Sequence, residues 1–310
     1  MAAIPATQQP APASTRRRFR SGSYRTWLAA YALLAPALVG LALFRLYPIG
    51  LAAWGSLHTS TFGEGGGRVF VGLDNYRYLF SEPTFWSSLG VTLKLNAIIN
   101  PLQIALALGL AVLADQRFPG IRAYRTAFFI PIGVSMPIAA MVWRMMLDPN
   151  AGLINSMLVR IGLPPQPFLT SADQALWVIM LIATWKGVSF WMVFLLAGLQ
   201  NIPNDLHEAA MLDGASPVQR FFQITLPLLR RTLLFVLVTD TAINFLLFAP
   251  VYLLTAGGPQ LSTNLLMYEA YKTGFVFADM GLALSMVMVL LVLVLVVVAI
   301  EFRLLQSQEA

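Results

Sequence analysis

The sequence contains no cysteine and only two histidines, His58 and His207. Without thiols there are no disulfides and no thiolate metal sites, and two isolated histidines cannot build a histidine-rich metal cluster. Charge is scarce as well: 11% of the 310 residues are charged, against about 25% in soluble domains. No Gly-x4-Gly-Lys-Ser/Thr sequence is present, so the chain has no P-loop with which to cradle ATP. His-Glu-x-x-His and Gly-x-Ser-x-Gly are also missing, which removes the common zinc-hydrolase and serine-nucleophile patterns. A chain lacking all of these is expected to do no covalent chemistry itself and to bind no cofactor.

What fills the space is apolar. Hydrophobic residues make up 58% of the chain and its mean hydropathy is +0.71, the composition of an integral membrane protein. Six apolar stretches, near 27–57, 86–114, 126–147, 175–200, 232–256 and 280–304, are each long enough to cross a bilayer. The expected fold is therefore an all-α membrane protein with six transmembrane helices over residues 24–310. Residues 1–23 are rich in Ala, Pro, Gln, Ser and Thr and end in Arg16, Arg17, Arg18 and Arg20. They read as a disordered basic tail, because the apolar stretch that follows is too long for a signal-peptide core.

Six spans put both termini on one side, and the basic residues select it. That side, with the 115–125 loop and the 201–230 loop together with the adjoining Arg231, holds twelve Lys and Arg; the opposite loops hold Arg68, Arg77, Arg160 and Lys272. The termini and the 201–230 loop are therefore expected in the cytoplasm. The formal charge of +6 follows from this topology and from a tail suited to anionic lipid headgroups; it does not point to nucleic acid.

The 201–230 loop is polar but built. Asn204 or Asp205 can cap a short helix through Ala209, Ala210 and Met211. Gly214 follows Asp213 where a left-handed residue would end that helix. Ser216, Pro217 and Gln219 then make a capping-box pattern with proline at the first helical position. Two short helices meeting at an Asp-Gly turn between two spans read as a docking element.

Glu208-Ala209-Ala210, then Gly214, then Ile224, Leu226 and Pro227 resemble the EAA loop of bacterial ABC importer permeases at its full spacing. The resemblance extends to 197–203, to 222–229 and to Tyr-Leu-Leu-Thr-Ala-Gly-Gly-Pro at 252–259, as in first permeases of the maltose and glycerol-3-phosphate kind, and covers most of the chain. Arg231 departs from it, standing where a proline often follows Leu-Leu-Arg. The resemblance implies the ABC type I importer permease fold in a bacterial inner membrane, with a cytoplasmic coupling helix. It also implies partners: a second, homologous permease, two P-loop ATPase subunits carrying the ATP and Mg, and an extracytoplasmic solute-binding protein. Glu208, Ala209, Ala210, Asp213, Gly214, Ile224, Leu226 and Pro227 become the ATPase-coupling residues.

Charges in the bilayer are costly and mark functional candidates. Lys186 lies near the middle of the fourth span. Asp240 lies about nine residues, roughly 13 Å of helix, into the fifth, with Asn244 one turn further on the same face. Phe190 stands one turn beyond Lys186. Carboxylates and amides bond hydroxyls, and aromatic faces stack on sugar C–H groups. By the resemblance, Gly187, Phe190 and Asn244 fall at sugar-contacting positions, with Lys186, Asp240, Ile243 and Leu247 among the candidates. Lys186 and Asp240 could equally form a structural ion pair, and a cavity-facing Lys186 would favour an anionic solute. The reading is an ATP-driven importer subunit for a carbohydrate or related polyol. An ion-coupled secondary transporter is the alternative; it would use Lys186 and Asp240 but leaves the docking loop without a purpose.

Overall fold

A computed structural model describes residues 24–60, 67–116 and 118–306; the basic tail expected over 1–23 lies outside them. The chain divides after Leu51 into two units. The first holds α1 (Tyr24–Leu41), a π-helical turn (Ala42–Leu46) and the start of α2 (Tyr47–Gly55). Its apolar side chains, Leu33 and Phe44 among them, are exposed, as they must be on a helix whose solvent is lipid.

The second unit begins with a short antiparallel hairpin, β1 (His58–Ser60) and β2 (Arg68–Phe70), in which His58 faces Phe70. Then come α3 (Asp74–Ser81), α4 (Pro83–Asp115), α5 (Ile121–Gly133), α6 (Met136–Met146), α7 (Leu153–Arg160) and α8 (Ala172–Gln200). The polar loop carries α9 (Asn204–Leu212), α10 (Pro217–Arg220), a π turn (Phe221–Thr225) and α11 (Leu226–Leu228). The chain ends with α12 (Arg230–Phe245), α13 (Leu266–Tyr271) and α14 (Met280–Gln306).

Four helices are long and apolar enough to cross a membrane: Ala30–Ser56, Pro83–Asp115, Ala172–Gln200 and Met280–Leu304. Two bent pairs bring the total to six if each is one span. The third stretch, expected as one helix over 126–147, is α5 and α6 at 101°. Ser135 is the extended N-cap of α6 and Pro137 sits in its first turn, where the missing N–H of proline is tolerated and a fresh helix start is favoured. The fifth, expected over 232–256, is α12, which ends at Phe245. It is followed by Pro250 and a separate π turn over Val251–Thr255. α12 meets the 217–228 segment at 67°.

α4 and α8 form the centre of this unit. Ala107, Ala111 and Ala114 of α4 are fully buried against Trp191, Met192 and Leu195 of α8. Lipid is as apolar as these side chains, so close approach through small residues, rather than escape from water, holds the pair together. Further along, Leu95 and Ile99 pack with Ile179, Ile182 and Leu265.

A second face of α4 is polar. Ser88, Thr92, Asn96, Asn100 and Gln103 recur every three or four residues and are all buried. They bond outwards because hydrocarbon offers no alternative partner. Asn264 donates to Ser88 (2.8 Å), the Leu266 amide to Thr92 (2.8 Å), and Asn100 to Thr241 of α12 (2.9 Å). Thr241 in turn donates to Glu301 of α14 at 2.8 Å. Glu301 is thus half-buried inside the second unit, where its position near the end of the sixth span reads as interfacial.

Candidate functional site

Two constellations were predicted, and the structure gives each a defined geometry. The first is the loop. α9 starts at Asn204 with Pro203 as N-cap and no side-chain cap bond. Neither Asn204 nor Asp205 caps it, because the rigid φ of Pro203 already sets the start of the helix. Its end follows the expectation. Gly214 adopts φ +82°; its N–H reaches Met211 O (3.1 Å) and the Ala215 N–H reaches Ala210 O (2.9 Å). These two bonds are the Schellman pattern that satisfies the last carbonyls of a helix. The capping box is complete: the Gln219 amide donates to Ser216 Oγ (3.3 Å) and the Ser216 amide to Gln219 Oε1 (2.8 Å).

A rigid turn therefore presents two short helices with apolar side chains that the described residues leave exposed. Met211, Leu212, Val218 and Phe222 are 50%, 89%, 65% and 60% exposed. Glu208, Ala209 and Asp213 are exposed, while Ala210 is half-buried. Ile224 and Leu226 are half-buried and Pro227 is exposed at the joint that leads into α12.

The second constellation is a cavity of about 610 Å³ between α4, α8 and α12. All seven predicted residues line it: Lys186, Gly187 and Phe190 from α8, and Asp240, Ile243, Asn244 and Leu247 from α12 and the residues after it. A larger hollow of about 870 Å³ beside α4, α5 and α8 is lined almost wholly by apolar side chains and holds none of them. Convergent polar groups mark a solute site better than size does, so the smaller cavity is the candidate.

Its polar groups are individually placed. Trp191 donates its indole N–H to Asp240 Oδ1 at 2.6 Å. Asp240 is 1% exposed, and its Oδ2 has no partner. Asn244 donates to Asn100 Oδ1 (2.8 Å) and Gln103 Oε1 (3.2 Å), which engages both of its N–H groups. Lys186 and Asp240 do not pair. Lys186 Nζ instead donates to Pro131 O (3.2 Å) and Val134 O, two carbonyls at the end of α5 where the third span breaks. Phe190 sits edge-on to Trp191, ring centroids 4.8 Å apart.

Gln103 is a polar lining residue outside the seven expected from the sequence, beside apolar ones such as Ile132, Met136 and Phe248. A polar stripe at i, i+4 and i+7 from Asn96 through Asn100 to Gln103 was there to be read on α4. Gly187 explains how it reaches the cavity: a Cβ there would lie 2.7 Å from Gln103 Nε2, so only glycine leaves that space free. Among the described residues no His, Cys, Asp or Glu cluster could hold a metal ion.

Comparison with known proteins gives a consistent answer. Residues 101–307 match the family described as binding-protein-dependent transport system inner membrane component. The chain is 35% identical over 289 residues to the sn-glycerol-3-phosphate transport system permease protein UgpA of Yersinia pseudotuberculosis serotype I (strain IP32953), covering 93% of this chain and 97% of that one. It is 34% identical over 296 residues to UgpA of Salmonella typhimurium, covering 95% and 98%. The fold is similar to a chain of a bacterial ABC transporter involved in import of the acidic polysaccharide alginate. There the TM-score is 0.77 at 24% identity, over 92% of this chain and 96% of that chain.

Proposed function

This chain belongs to the family of binding-protein-dependent transport system inner membrane components, and from that premise we propose how it works. It is one of two transmembrane subunits of an ABC importer for a carbohydrate or related polyol. It pairs with a second, homologous permease above two ATPase subunits, which hold the ATP and Mg. A solute-binding protein delivers the solute from outside, and the termini and the α9–α10 loop face the cytoplasm.

The observation that carries this reading is the α9–α10 turn, a doubly capped element with an apolar face left open. Helices are seldom capped at both ends of a turn and left with exposed Leu212 and Phe222 unless another surface covers them. In this reading the covering surface is the ATPase groove. The path from that groove to the solute is short in sequence: α9, α10, the π turn at Phe221–Thr225, the bend at Leu229, then α12 with Asp240 and Asn244 on the cavity. Closure of the ATPases on ATP moves the loop, the bend transmits the motion to α12, and the cavity changes its side of access. The distribution of basic residues supports the orientation.

The test is purification of the tagged chain in mild detergent with its bound partners. A second permease that stays bound and a P-loop ATPase that is released when Leu212 and Phe222 are changed to serine support the proposal. A chain that purifies alone and transports its solute without ATP overturns it in favour of ion coupling.

A further inference from the structure

The larger hollow beside α4, α5 and α8, about 870 Å³, shares no lining residue with the candidate cavity. One wall is α4 from Ala105 to Leu113, about 12 Å of helix, against about 15 Å for the hydrocarbon of one leaflet. Phe128 and Pro131 of α5, Trp185 and Val188 of α8, and Phe221 of the π turn complete it. Two hydroxyls lie on the wall. Ser189 Oγ donates to its own helix at Trp185 O (3.2 Å), and Thr184 Oγ1 is buried, so neither is offered to a polar solute. Gly109 keeps the space open: a Cβ there would meet nothing within 4 Å. An interior glycine costs a helix about 1 kcal/mol relative to alanine, yet no atom of the chain uses the room it leaves. Positive charge gathers at the end marked by Leu113 and Phe221. Arg125, half-buried, gives Nε and Nη2 to Ala114 O (2.9 and 2.7 Å), directly beside Leu113. Among the described residues its other three donors have no partner. Arg220, also half-buried, directly precedes Phe221, and Asp115 is the exposed carboxylate nearby in sequence.

We propose that this hollow seats one acyl chain of an anionic phospholipid, with Arg125 and Arg220 at its phosphate. The wall is apolar and one leaflet long, as an acyl chain requires, and the guanidiniums stand at the end where a headgroup would lie. Two cations against one exposed carboxylate favour a headgroup with net negative charge over a zwitterionic one. A helix of another subunit fits less well. It would have to run the full thickness of the bilayer, about 30 Å, whereas α5 ends at Gly133 and α6 turns away at 101°. It would also cover the remaining donors of Arg125 with apolar side chains, which leaves them unsatisfied. A seated lipid lies between α5 and α8 and braces the π turn at Phe221, which leads into α12.

Native mass spectrometry tests this. The tagged chain is purified in mild detergent with any subunits that accompany it and is then delipidated. Phosphatidylglycerol or phosphatidylethanolamine with identical acyl chains is titrated in, and bound lipid is counted. Phosphatidylglycerol should fill one site at least about tenfold more tightly than phosphatidylethanolamine. Gly109→Leu fills the hollow, and its Cβ enters open space. It should weaken phosphatidylglycerol binding at least about tenfold while accompanying subunits stay attached. Arg125→Gln should bring the two lipids within about threefold of each other. That ratio is insensitive to partial loss of folded protein, so a destabilised variant still reports. Equal affinity for the two lipids, no site that saturates at one lipid, an unchanged ratio in Arg125→Gln, or unchanged phosphatidylglycerol binding in Gly109→Leu would overturn the proposal. Release of another subunit by Gly109→Leu would also overturn it, and would place a helix of that subunit in the hollow.

Discussion

Trp191 and Asp240 join the fourth and fifth spans through one short hydrogen bond, 2.6 Å from indole nitrogen to carboxylate oxygen, with both side chains almost fully buried. The bond holds Oδ1, while Oδ2 is buried beside it. It also ties α8, which packs on the alanine face of α4, to α12, which follows the α9–α10 loop. The cavity lined by α8 and the helix that follows the α9–α10 loop thus share a side chain.

Replacing Trp191 with Phe removes this donor and leaves a buried carboxylate with no partner. The expected loss is about 1.5–3 kcal/mol, the range for hydrogen bonds to charged groups, seen as a lower melting temperature in detergent. Asp240→Asn in the Trp191→Phe background should recover part of it. A double variant no more stable than Trp191→Phe would show that the bond is not what holds Asp240.

Lys186→Met should act on the third span. It leaves Val134 O without the lysine donor and Pro131 O with only the Val134 N–H at the 101° bend, at a cost of about 1–3 kcal/mol for a buried unsatisfied group. Hydrogen exchange at the start of α6 should rise. If instead stability and exchange are unchanged and only affinity for anions falls, Lys186 is a ligand-binding residue and the carbonyl contacts are incidental.

Gly187→Ala should displace Gln103, whose amide stands 2.7 Å from the position of the new methyl group. The end of a flexible side chain can move, so the fold is expected to tolerate the change within about 1–3 kcal/mol. Solute affinity should fall while ATPase-subunit binding stays intact. Gln103→Ala should reproduce the affinity loss, and a normal affinity in both would remove Gln103 from the site.

Ser216→Ala breaks the capping box of α10. The expected cost is about 1 kcal/mol, confined to the loop and visible as faster amide exchange at Gln219 and Arg220. An unaltered exchange rate there would mean that the turn is held by Gly214 and the packing of Phe221 alone.

Much of this was legible in the residues. Gly214, Ser216 and Gln219 specify their own local geometry, and a cap depends on neighbours a few positions away. Asp240, Ile243, Asn244 and Leu247 share a face by helical spacing alone. The Lys186 contacts were not legible, because they depend on a break between Pro131 and Pro137 that turns carbonyls of one span toward a side chain of another. Gln103 was hidden by the same kind of distance: its value to the cavity depends on Gly187, on a different helix, having no side chain. The inward position of Glu301 follows from Thr241, sixty residues away, while sequence position alone places it at the membrane surface.

In the proposed function the α9–α10 turn couples ATP hydrolysis elsewhere in an assembly to movement of α12. That coupling is tested most directly by measuring ATP-dependent solute uptake and ATP hydrolysis together, in proteoliposomes of the assembled importer carrying Gly214→Pro. Proline cannot adopt φ +82° and supplies no N–H for Met211 O, so the turn is lost while the cavity lies far away in sequence and is untouched. The account predicts that solute binding persists while uptake per ATP hydrolysed falls at least about tenfold, a coupling loss of about 1.4 kcal/mol or more. Uptake per ATP equal to that of the unaltered protein would contradict it.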